Sequence, residues 1–355
     1  VAAFAMFLLV FALAQPEPRA RRLLEVLLAV ITAYAVFGIV QELVGWRVSG
    51  SLSFQSTVVS TFVNRNHFAT YANLGLLIAL GLLLEPLWLA GHQSAQTKLK
   101  VRIARALGLI FEERRRVLLA AVVLLLASIG TNSRGGILSL SGAVLFGLML
   151  VLLNSRARAG TKLLVIAASV GTLSAALWLT GDALIERFRS IDTSAGLTEI
   201  DGRVAAWQMT LDAIRERPWL GHGHGAYQEV YFLYHPADFR GGIYDHAHND
   251  WLQAAVELGL PAAGALWLAV GLVWGACLVG ALRRRRGRVF PFVGAMAGVL
   301  VGLHAIVDFS LLMPAVALTF AALLGIGLAQ SQSRPPRGAS AAQQAAAQPS
   351  ATTNR

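Results

Sequence analysis

The chain has 355 residues, of which 56% are hydrophobic and only 14% are charged, and its mean hydropathy is +0.60. These values exclude an ordinary soluble domain. The formal net charge of +11 would suit a nucleic-acid-binding protein, but the basic residues fall in short clusters between long apolar runs. The composition therefore predicts an all-α, polytopic membrane protein with no nucleic-acid partner.

Apolar runs of about 20 residues can cross a bilayer, and backbone hydrogen bonding makes such spans helical. Nine candidate spans lie near 1–14, 23–44, 67–90, 117–132, 136–153, 163–180, 251–281, 290–306 and 311–329. Because the chain begins with Val1 inside an apolar run, a cytoplasmic N-terminus would need an odd number of further spans upstream. We therefore expect a piece of a longer protein, with more spans before Val1.

The charge distribution predicts the topology. Of the 30 Lys and Arg residues, 21 lie in five segments, which are 19–22, 98–116, 156–162, 283–288 and the tail from 334. With nine spans all five fall on one side, which the positive-inside rule makes cytoplasmic. The long loop 181–250, with eleven acidic residues and six arginines, then faces outward.

Two domains follow from this pattern. Residues 1–329 form the transmembrane domain, in which the outer loop 181–250 carries most of the polar side chains, and 330–355 form a disordered cytoplasmic tail. Residues 91–116 have the basic amphipathic pattern of a helix lying on anionic membrane lipids. The single cysteine, Cys277, excludes a disulfide framework and a cysteine-based metal site.

Two local features concern the outer surface. Between two short apolar runs, Ser133-Arg134-Gly135-Gly136 predicts a tight reversal made by the glycines, with Arg134 at or just below the outer surface. In the loop, Asp201 is a candidate helix N-cap, and the helical spacing of Val204, Trp207, Leu211 and Ile214 predicts one apolar face. Pro218 ends that helix.

His248-Asn249-Asp250 directly precedes a strongly apolar run. Asn249 or Asp250 is a natural helix cap, so His248 stands at the helix mouth, where free backbone amides favour an anion. A neutral imidazole can accept a proton and suits a general base. A structural histidine bonded to a loop carbonyl fits its position equally well.

Other histidines lie on the same side. His246 and His248 form one His-x-His pair and His222 and His224 another, so a zinc site is an alternative, although no carboxylate stands at an obvious ligand spacing. His67, at the start of the third span, is either a substrate contact or an interfacial cap.

Three arginines share the predicted outer face: Arg65, Arg134 and Arg203. Arginine suits bidentate phosphate binding, so a convergent set would bind a lipid-linked phosphate or pyrophosphate. Taken singly, each is also explained as a snorkelling interfacial side chain. Glu257 and the i,i+4 pair His304 and Asp308 are buried-acid candidates, for which a structural role is at least as well supported.

The ordered motifs resemble the O-antigen ligase and O-antigen polymerase superfamily over about residues 55–280. They are Asn64-Arg65-Asn66-His67, Ser133-Arg134-Gly135-Gly136, Gly202-Arg203 with Trp207, Pro218-Trp219-Leu220-Gly221-His222-Gly223, and His248-Asn249 followed by Glu257-Leu258-Gly259-Leu260-Pro261. One departure is that Gly259 is followed by Ala262 where the family has Gly-x-x-Gly. We expect the small alanine to preserve close packing there.

The resemblance implies a metal-independent glycosyltransferase of the bacterial inner membrane, without a cofactor and with its active site facing the periplasm. Its donor would be an undecaprenyl-pyrophosphate-linked glycan. Its acceptor would be lipid A-core in lipopolysaccharide assembly, a growing polysaccharide as in exopolysaccharide synthesis, or a protein hydroxyl. By resemblance His248 activates the acceptor hydroxyl, and Arg134 and Arg203 hold the pyrophosphate. Arg65, His67 and Asn249 are further candidate substrate contacts.

The predicted reaction is direct displacement with inversion at the anomeric carbon, the arginines stabilising the leaving charge. A transporter or flippase for lipid-linked glycans is the main alternative, but it predicts ionisable groups near the membrane midplane. A metal-dependent hydrolase built on the four loop histidines is a third.

Overall fold

The computed structural model describes residues 1–46, 57–90, 108, 114–154, 199–234, 244–284 and 286–332. All regular structure in these residues is helical. The predicted span 163–180, most of the surface segment 91–116, the first part of the outer loop and the tail from 333 lie outside the described residues.

Eleven α-helices, here α1 to α11 in chain order, are present in the described part of the chain. They are Ala2–Leu13, Glu17–Val44, Arg65–Ala90, Arg115–Gly130, Arg134–Asn154, Glu199–Glu216, Tyr227–Tyr234, Asp250–Leu258, Leu260–Arg283, Val289–His304 and Pro314–Gln332. A 3₁₀ turn, Ser310–Leu312, joins α10 to α11.

Five of these helices are long and apolar enough to cross a membrane: α2, most of α3, α5, α9 and α11. The helices α1 and α10 are apolar but shorter, and α4 has 16 residues. Eight of the nine predicted spans thus coincide with described helices. The multi-pass helical fold is confirmed, whereas the total of nine spans stays a prediction.

The main core forms around α3 and α10. Helix α10 contacts α3, α5, α9 and α11, and α3 also contacts α4. Close approach depends on small residues, since a Cβ added at Gly81 of α3 would lie 2.5 Å from Val293 of α10. By contrast, leucine and valine side chains of α2 and α9 are exposed, as expected for helices that face lipid.

A second, smaller core lies in the loop region. Its buried side chains come from α6, α7, α8, the start of α9 and the residue before His248: Ala206, Met209, Ala213, Ile214, Tyr227, Val230, Tyr231, Ala247, Ala255, Val256 and Ala263. This core fixes the chain around His248 against the top of the membrane core.

The predicted span 251–281 is wrong as a single helix. It is divided at Gly259, which has φ +78° and joins α8 to α9. A Cβ at Gly259 would lie 2.3 Å from the carbonyl oxygen of Trp219, and one at Gly221 would lie 2.5 Å from that of Glu257. Only glycine permits this close approach, which packs residues 218–223 against the C-terminal end of α8.

The reversal between α4 and α5 is confirmed, but the glycines do not make it. The turn is formed by Thr131 to Ser133, with Asn132 in the left-handed region at φ +52°. Gly135 and Gly136 instead lie in the first turn of α5. A Cβ added at these two positions would crowd His304 and Ala69 respectively. The glycines therefore serve packing against α10 and α3.

The loop helix is correct in position and wrong in detail. Helix α6 begins at Glu199, so Asp201 lies inside it and is not its cap, and it ends at Glu216, before Pro218. Val204 and Leu211 are each 41% exposed. Ile214 is buried, as predicted, but the buried face otherwise carries Ala206, Met209, Thr210 and Ala213, which pack against α7 and α8.

Candidate active site

The strongest candidate site is centred on His248 and the buried carboxylate of Asp308. The Nδ1 atom of His248 lies 3.5 Å from Oδ1 of Asp308, slightly beyond normal hydrogen-bond length. The side chain of His248 is 17% exposed, whereas that of Asp308 is 1% exposed. Asp308 thus faces one ring nitrogen of a histidine whose side chain is partly accessible to solvent.

Asp308 is surrounded by groups that favour its ionised form. Burial opposes ionisation, but the ring nitrogens of His248 and His67, at 3.5 and 3.7 Å, and the positive charge that a nearby imidazole carries when protonated outweigh it, so the pKa of Asp308 lies below its usual range. The backbone amide of Phe309 also donates to Oδ1 at 3.0 Å. Asp308 is therefore an anion at neutral pH.

The ring of Phe309 fixes the imidazoles around Asp308. It stacks on His246 with ring centroids 4.2 Å apart, and it meets His67 and His248 edge-on at 4.6 and 4.8 Å. Such aromatic contacts restrict ring rotation, and Tyr244 adds an edge contact to His248. The imidazole of His248 is consequently held between two aromatic rings.

The backbone around His248 is held in an unusual conformation. His248 has φ +47°, which non-glycine residues adopt at a cost of about 1–2 kcal/mol. Asn249 caps α8, as predicted, by accepting from the amide of Leu252 at 3.0 Å, and its amide group donates to the carbonyl of Ile306. Asn249 therefore joins α8 to the turn that carries Asp308.

At least two of the amides at the start of α8 are not free to bind an anion. The amide of Asp250 donates to the carbonyl of Ala305 at 2.9 Å, and those of Leu252 and Gln253 donate to Asn249. The amides of Asp250 and Leu252 are therefore not available to an anion. Asp250 itself is half-buried, and its desolvation raises its pKa to about 8.

Behind Asp308 lies a second polar cluster. His67 is 3% exposed, with Nε2 3.7 Å from Oδ1 of Asp308. It is therefore no interfacial cap. His304 is buried and its Nδ1 lies 2.6 Å from the hydroxyl of Thr70 and 3.1 Å from that of Ser310. The predicted i,i+4 pair His304 and Asp308 is thus part of a larger network from α3 and α10.

Two of the three candidate arginines approach the same turn. Arg203 of α6 donates from Nη1 to the carbonyl of Val307 at 2.8 Å, directly before Asp308. Arg134 begins α5, and its neighbour Gly135 contacts His304 and Val307. Arg65 begins α3, two residues before His67. All three arginine residues are half-buried.

Two of the sequence motifs are bonded to each other. The hydroxyl of Ser133 donates to the side-chain oxygen of Asn66 at 2.8 Å and accepts from the amide of Gly136. Asn73, two turns further along α3, donates to the carbonyl of Gly136. The starts of α3 and α5 are therefore fixed together, which sets the positions of Arg65 and Arg134.

The remaining loop histidines have separate partners. His222 bonds the carbonyl of Ala213 at 2.9 Å, His224 lies 3.0 Å from Oε2 of Glu257, and His246 lies 3.1 Å from Oδ1 of Asp245. Within the described residues no group of three or more His, Cys, Asp or Glu side chains is arranged to hold a metal ion. The four-histidine alternative therefore has no common centre here.

A comparison of the chain with known protein families found a match. Residues 119–266 match the family model described as O-antigen ligase. The matched region, somewhat less than half of the chain, is thus similar to the O-antigen ligases. None of the curated proteins compared with the chain matches it.

The matched region contains Arg134, Arg203, His248 and Asn249. Asp308 and Phe309 lie beyond its end, in the turn after α10. Sequence reasoning considered Asp308 only as a partner of His304 and did not single out Phe309. The signal for Asp308 was a carboxylate one helical turn after a histidine at the outer end of an apolar run.

The departure from Gly-x-x-Gly also has a structural account. Ala262 is exposed and Ala263 is buried. The expectation that a small residue at 262 preserves close packing is therefore wrong, because no neighbour approaches that side chain closely enough to bury it.

Proposed function

We propose that this protein is a membrane glycosyltransferase that moves a glycan from a lipid-linked pyrophosphate to a hydroxyl acceptor. The observation that carries the proposal is the pairing of His248 Nδ1 with the buried Oδ1 of Asp308 at 3.5 Å. A carboxylate in this position keeps the proton on Nδ1 and leaves Nε2 as the proton acceptor.

The proposed step is a direct displacement. Nε2 of His248 takes the proton of the acceptor hydroxyl, and the oxygen forms a bond to the anomeric carbon. The bond from that carbon to the pyrophosphate oxygen breaks, the electron pair leaves with the pyrophosphate, and the configuration inverts. Asp308 balances the imidazolium that forms.

Charge also develops on the leaving pyrophosphate. Arg203 and the start of α5 with Arg134 both border the turn 304–308, which supports binding of the pyrophosphate between them. Fixed cationic donors at the leaving group are the largest expected contribution to the rate, and they supply it without a metal ion. Arg65 and His67, on the adjoining α3, are proposed to line the same site.

The proposed setting is the bacterial inner membrane, with the site facing the periplasm and undecaprenyl pyrophosphate as the lipid carrier. The acceptor is proposed to be lipid A-core or a growing polysaccharide chain. In either case the exposed side of His248 receives the hydroxyl, because Asp308 and Phe309 occupy its buried side.

The test uses the purified full chain and the variant His248→Ala, supplied with undecaprenyl-pyrophosphate glycan and each candidate acceptor in EDTA. Transfer by the natural protein and its loss in the variant are expected, and the acceptor that reacts names the reaction. If neither protein transfers glycan, yet both move it equally well across vesicle membranes, the protein is a transporter and the proposal fails.

A second pair of variants tests the leaving-group site. Arg134→Ala and Arg203→Ala should each lower kcat at least about 100-fold, in line with the loss of one charge-stabilising donor. Because Arg203 also holds the carbonyl of Val307, amounts of folded protein are compared by size-exclusion chromatography. Near-normal turnover in both variants would contradict the assignment.

A further inference from the structure

A continuous series of hydrogen bonds leads from the glycine-rich segment 221–225 to the residue before His248. His224 contacts Oε2 of Glu257 at 3.0 Å, and Oε1 of Glu257 accepts from Nε2 of Gln253 at 2.5 Å. Oε1 of Gln253 then accepts from the backbone amide of Ala247 at 2.8 Å. The side chains of Gln253 and Glu257 are buried, while His224 is exposed.

We propose that Gln253 and Glu257 are positioning residues that hold His248 in its left-handed conformation and so aim its ring at Asp308. The inference rests on the proposed function, in which His248 is the base. Glu257 would then position His248, whereas the sequence alone equally favoured a structural pair within the bundle.

The order of donors and acceptors makes Glu257 necessary for Gln253. A glutamine amide has an oxygen at one end and two N–H donors at the other, and either can face Ala247. Only the oxygen can accept the amide of Ala247. Because Oε1 of Glu257 accepts from Gln253, it fixes the N–H₂ end of Gln253 toward Glu257 and the oxygen toward Ala247.

Both backbone groups of Ala247, the residue before His248, are consequently held by hydrogen bonds. The amide of Ala247 is bound by Gln253, and its carbonyl accepts from Nε1 of Trp207 at 2.9 Å. His248 has φ +47°, a conformation that persists only where its surroundings impose it. Loss of the bond to Gln253 should therefore let residue 248 relax and move its ring away from Asp308.

The segment 221–225 secures the far end of the series. The amide of Gly223 donates to the carbonyl of Glu257 at 3.0 Å, and that of His222 donates to the carbonyl of Val256 at 2.8 Å. These bonds fix the last turn of α8, on which Glu257 lies. The motif from Pro218 to Gly223 thus influences the position of His248 indirectly, by fixing Glu257.

The test compares Gln253→Leu, Glu257→Leu, the double variant and Glu257→Gln in the full chain. Each leucine variant should lower kcat about tenfold or more while KM for the lipid-linked donor stays within about twofold, since a misplaced base affects the chemical step. The two losses should not add, because both break one series. Glu257→Gln should recover kcat to within about threefold, since its amide oxygen still accepts from Gln253.

A second measurement does not need activity. Modification of His248 by diethyl pyrocarbonate, followed by peptide mass spectrometry, should speed up several-fold in the leucine variants. The control is Glu229→Gln, which changes an exposed carboxylate of α7 and should leave both measurements unchanged. If the natural protein transfers no glycan, the proposed function fails, while the modification rate still tests the positioning.

The double variant removes both partners of the bond between Gln253 and Glu257, but it leaves the buried amide of Ala247 without its acceptor, at a cost of about 1–3 kcal/mol. Folded protein is therefore isolated by size-exclusion chromatography before each measurement. Unchanged kcat and unchanged modification of His248 in folded double variant would overturn the proposal. So would an equal loss in Glu257→Gln and Glu257→Leu, because a positioning role through the hydrogen bond requires the conservative variant to recover.

Discussion

Two buried carboxylates, Glu85 and Asp308, have contrasting neighbours. Glu85 lies on α3 about 27 Å from His67 at 1.5 Å per residue, so it marks the end of the bundle opposite Asp308. Arg21 reaches both its oxygens, at 2.5 and 3.0 Å, and Arg114 reaches one at 2.8 Å. Every charge in this cluster has a close partner.

Asp308 is bonded much less completely. Two imidazoles share its Oδ1 at 3.5 and 3.7 Å, and its Oδ2 has no hydrogen-bond partner within the described residues. Fully satisfied buried networks stabilise a fold, whereas incompletely satisfied ones are found where function requires them. The difference indicates that Glu85 joins α2, α3 and α4, and that Asp308 serves the site.

The largest effect should come from Asp308→Asn. The asparagine oxygen can still accept the amide of Phe309, but the anion opposite His248 is lost. We expect kcat to fall about 10²- to 10⁴-fold, as when the carboxylate of a hydrolase triad is replaced, and the melting temperature to fall as well, because the lowered pKa of Asp308 means that its charge also stabilises the fold. Glycan transfer per folded protein and the melting temperature measure the two effects.

A result in which Asp308→Asn lowers the melting temperature by several degrees and keeps most of the activity would reverse the interpretation. Asp308 would then be a structural counter-charge like Glu85, and His248 would need another partner to act as a base.

A different pattern is expected for Glu85→Gln. Removing the carboxylate leaves Arg21 and Arg114 half-buried without their shared anion, which should destabilise the protein by about 3 kcal/mol. Transfer per folded protein should not change, because this cluster lies far from His248. Melting in detergent measures the loss, and Glu25→Gln, an exposed carboxylate on α2, is the control. A selective loss of kcat would contradict the comparison.

Much of the outer cluster was predictable from the sequence, because its parts lie in short motifs. His248 at a helix mouth, Asn249 as its cap and the arginine-bearing motifs all follow from local patterns of capping, hydropathy and charge. The partner of His248 did not follow. Asp308 is 60 residues further along the chain, and only the packing of α8 against the turn after α10 brings the two together.

The break at Gly259 was missed for a related reason. Hydropathy continues from α8 into α9, so an apolar pattern cannot divide them. The sequence does hold a signal, since a glycine followed by Leu260-Pro261 is typical of a helix end and a new helix start. The close contacts of Gly221 with Gly259 also depend on tertiary packing, which no local pattern encodes.

A smaller effect, on the pH dependence of stability, is expected from Asp250→Asn. It compares Asp250 with its neighbour Asp308, whose pKa is shifted in the opposite direction. Burial, with the charge of Asp308, raises the pKa of Asp250 to about 8 although the amide of Leu311 bonds it. A raised pKa contributes stability that is full below about pH 4 and is lost as pH rises through about 8. Asp308, with its pKa lowered, contributes stability that is lost only in acid.

The melting temperature should therefore fall between about pH 5 and 8 in the natural protein, and the fall should be smaller in Asp250→Asn, which cannot ionise. An asparagine oxygen can still accept the amide of Leu311. An unchanged pH profile in the variant would show that Asp250 is ionised throughout this range.

The smallest effect should come from His67→Phe, and it decides between two roles for this histidine. Its Nε2 is 3.7 Å from Asp308 and the side chain is buried, so its main influence on the reaction should pass through the carboxylate. Asp308 keeps His248 and the amide of Phe309, and kcat should fall only a few-fold, about 1 kcal/mol in barrier height. If His67 instead contacts the donor, KM for the lipid-linked glycan will rise while kcat changes little. A loss as large as that of Asp308→Asn would mean that the two imidazoles act on Asp308 as one unit, and that the anion alone does not orient His248.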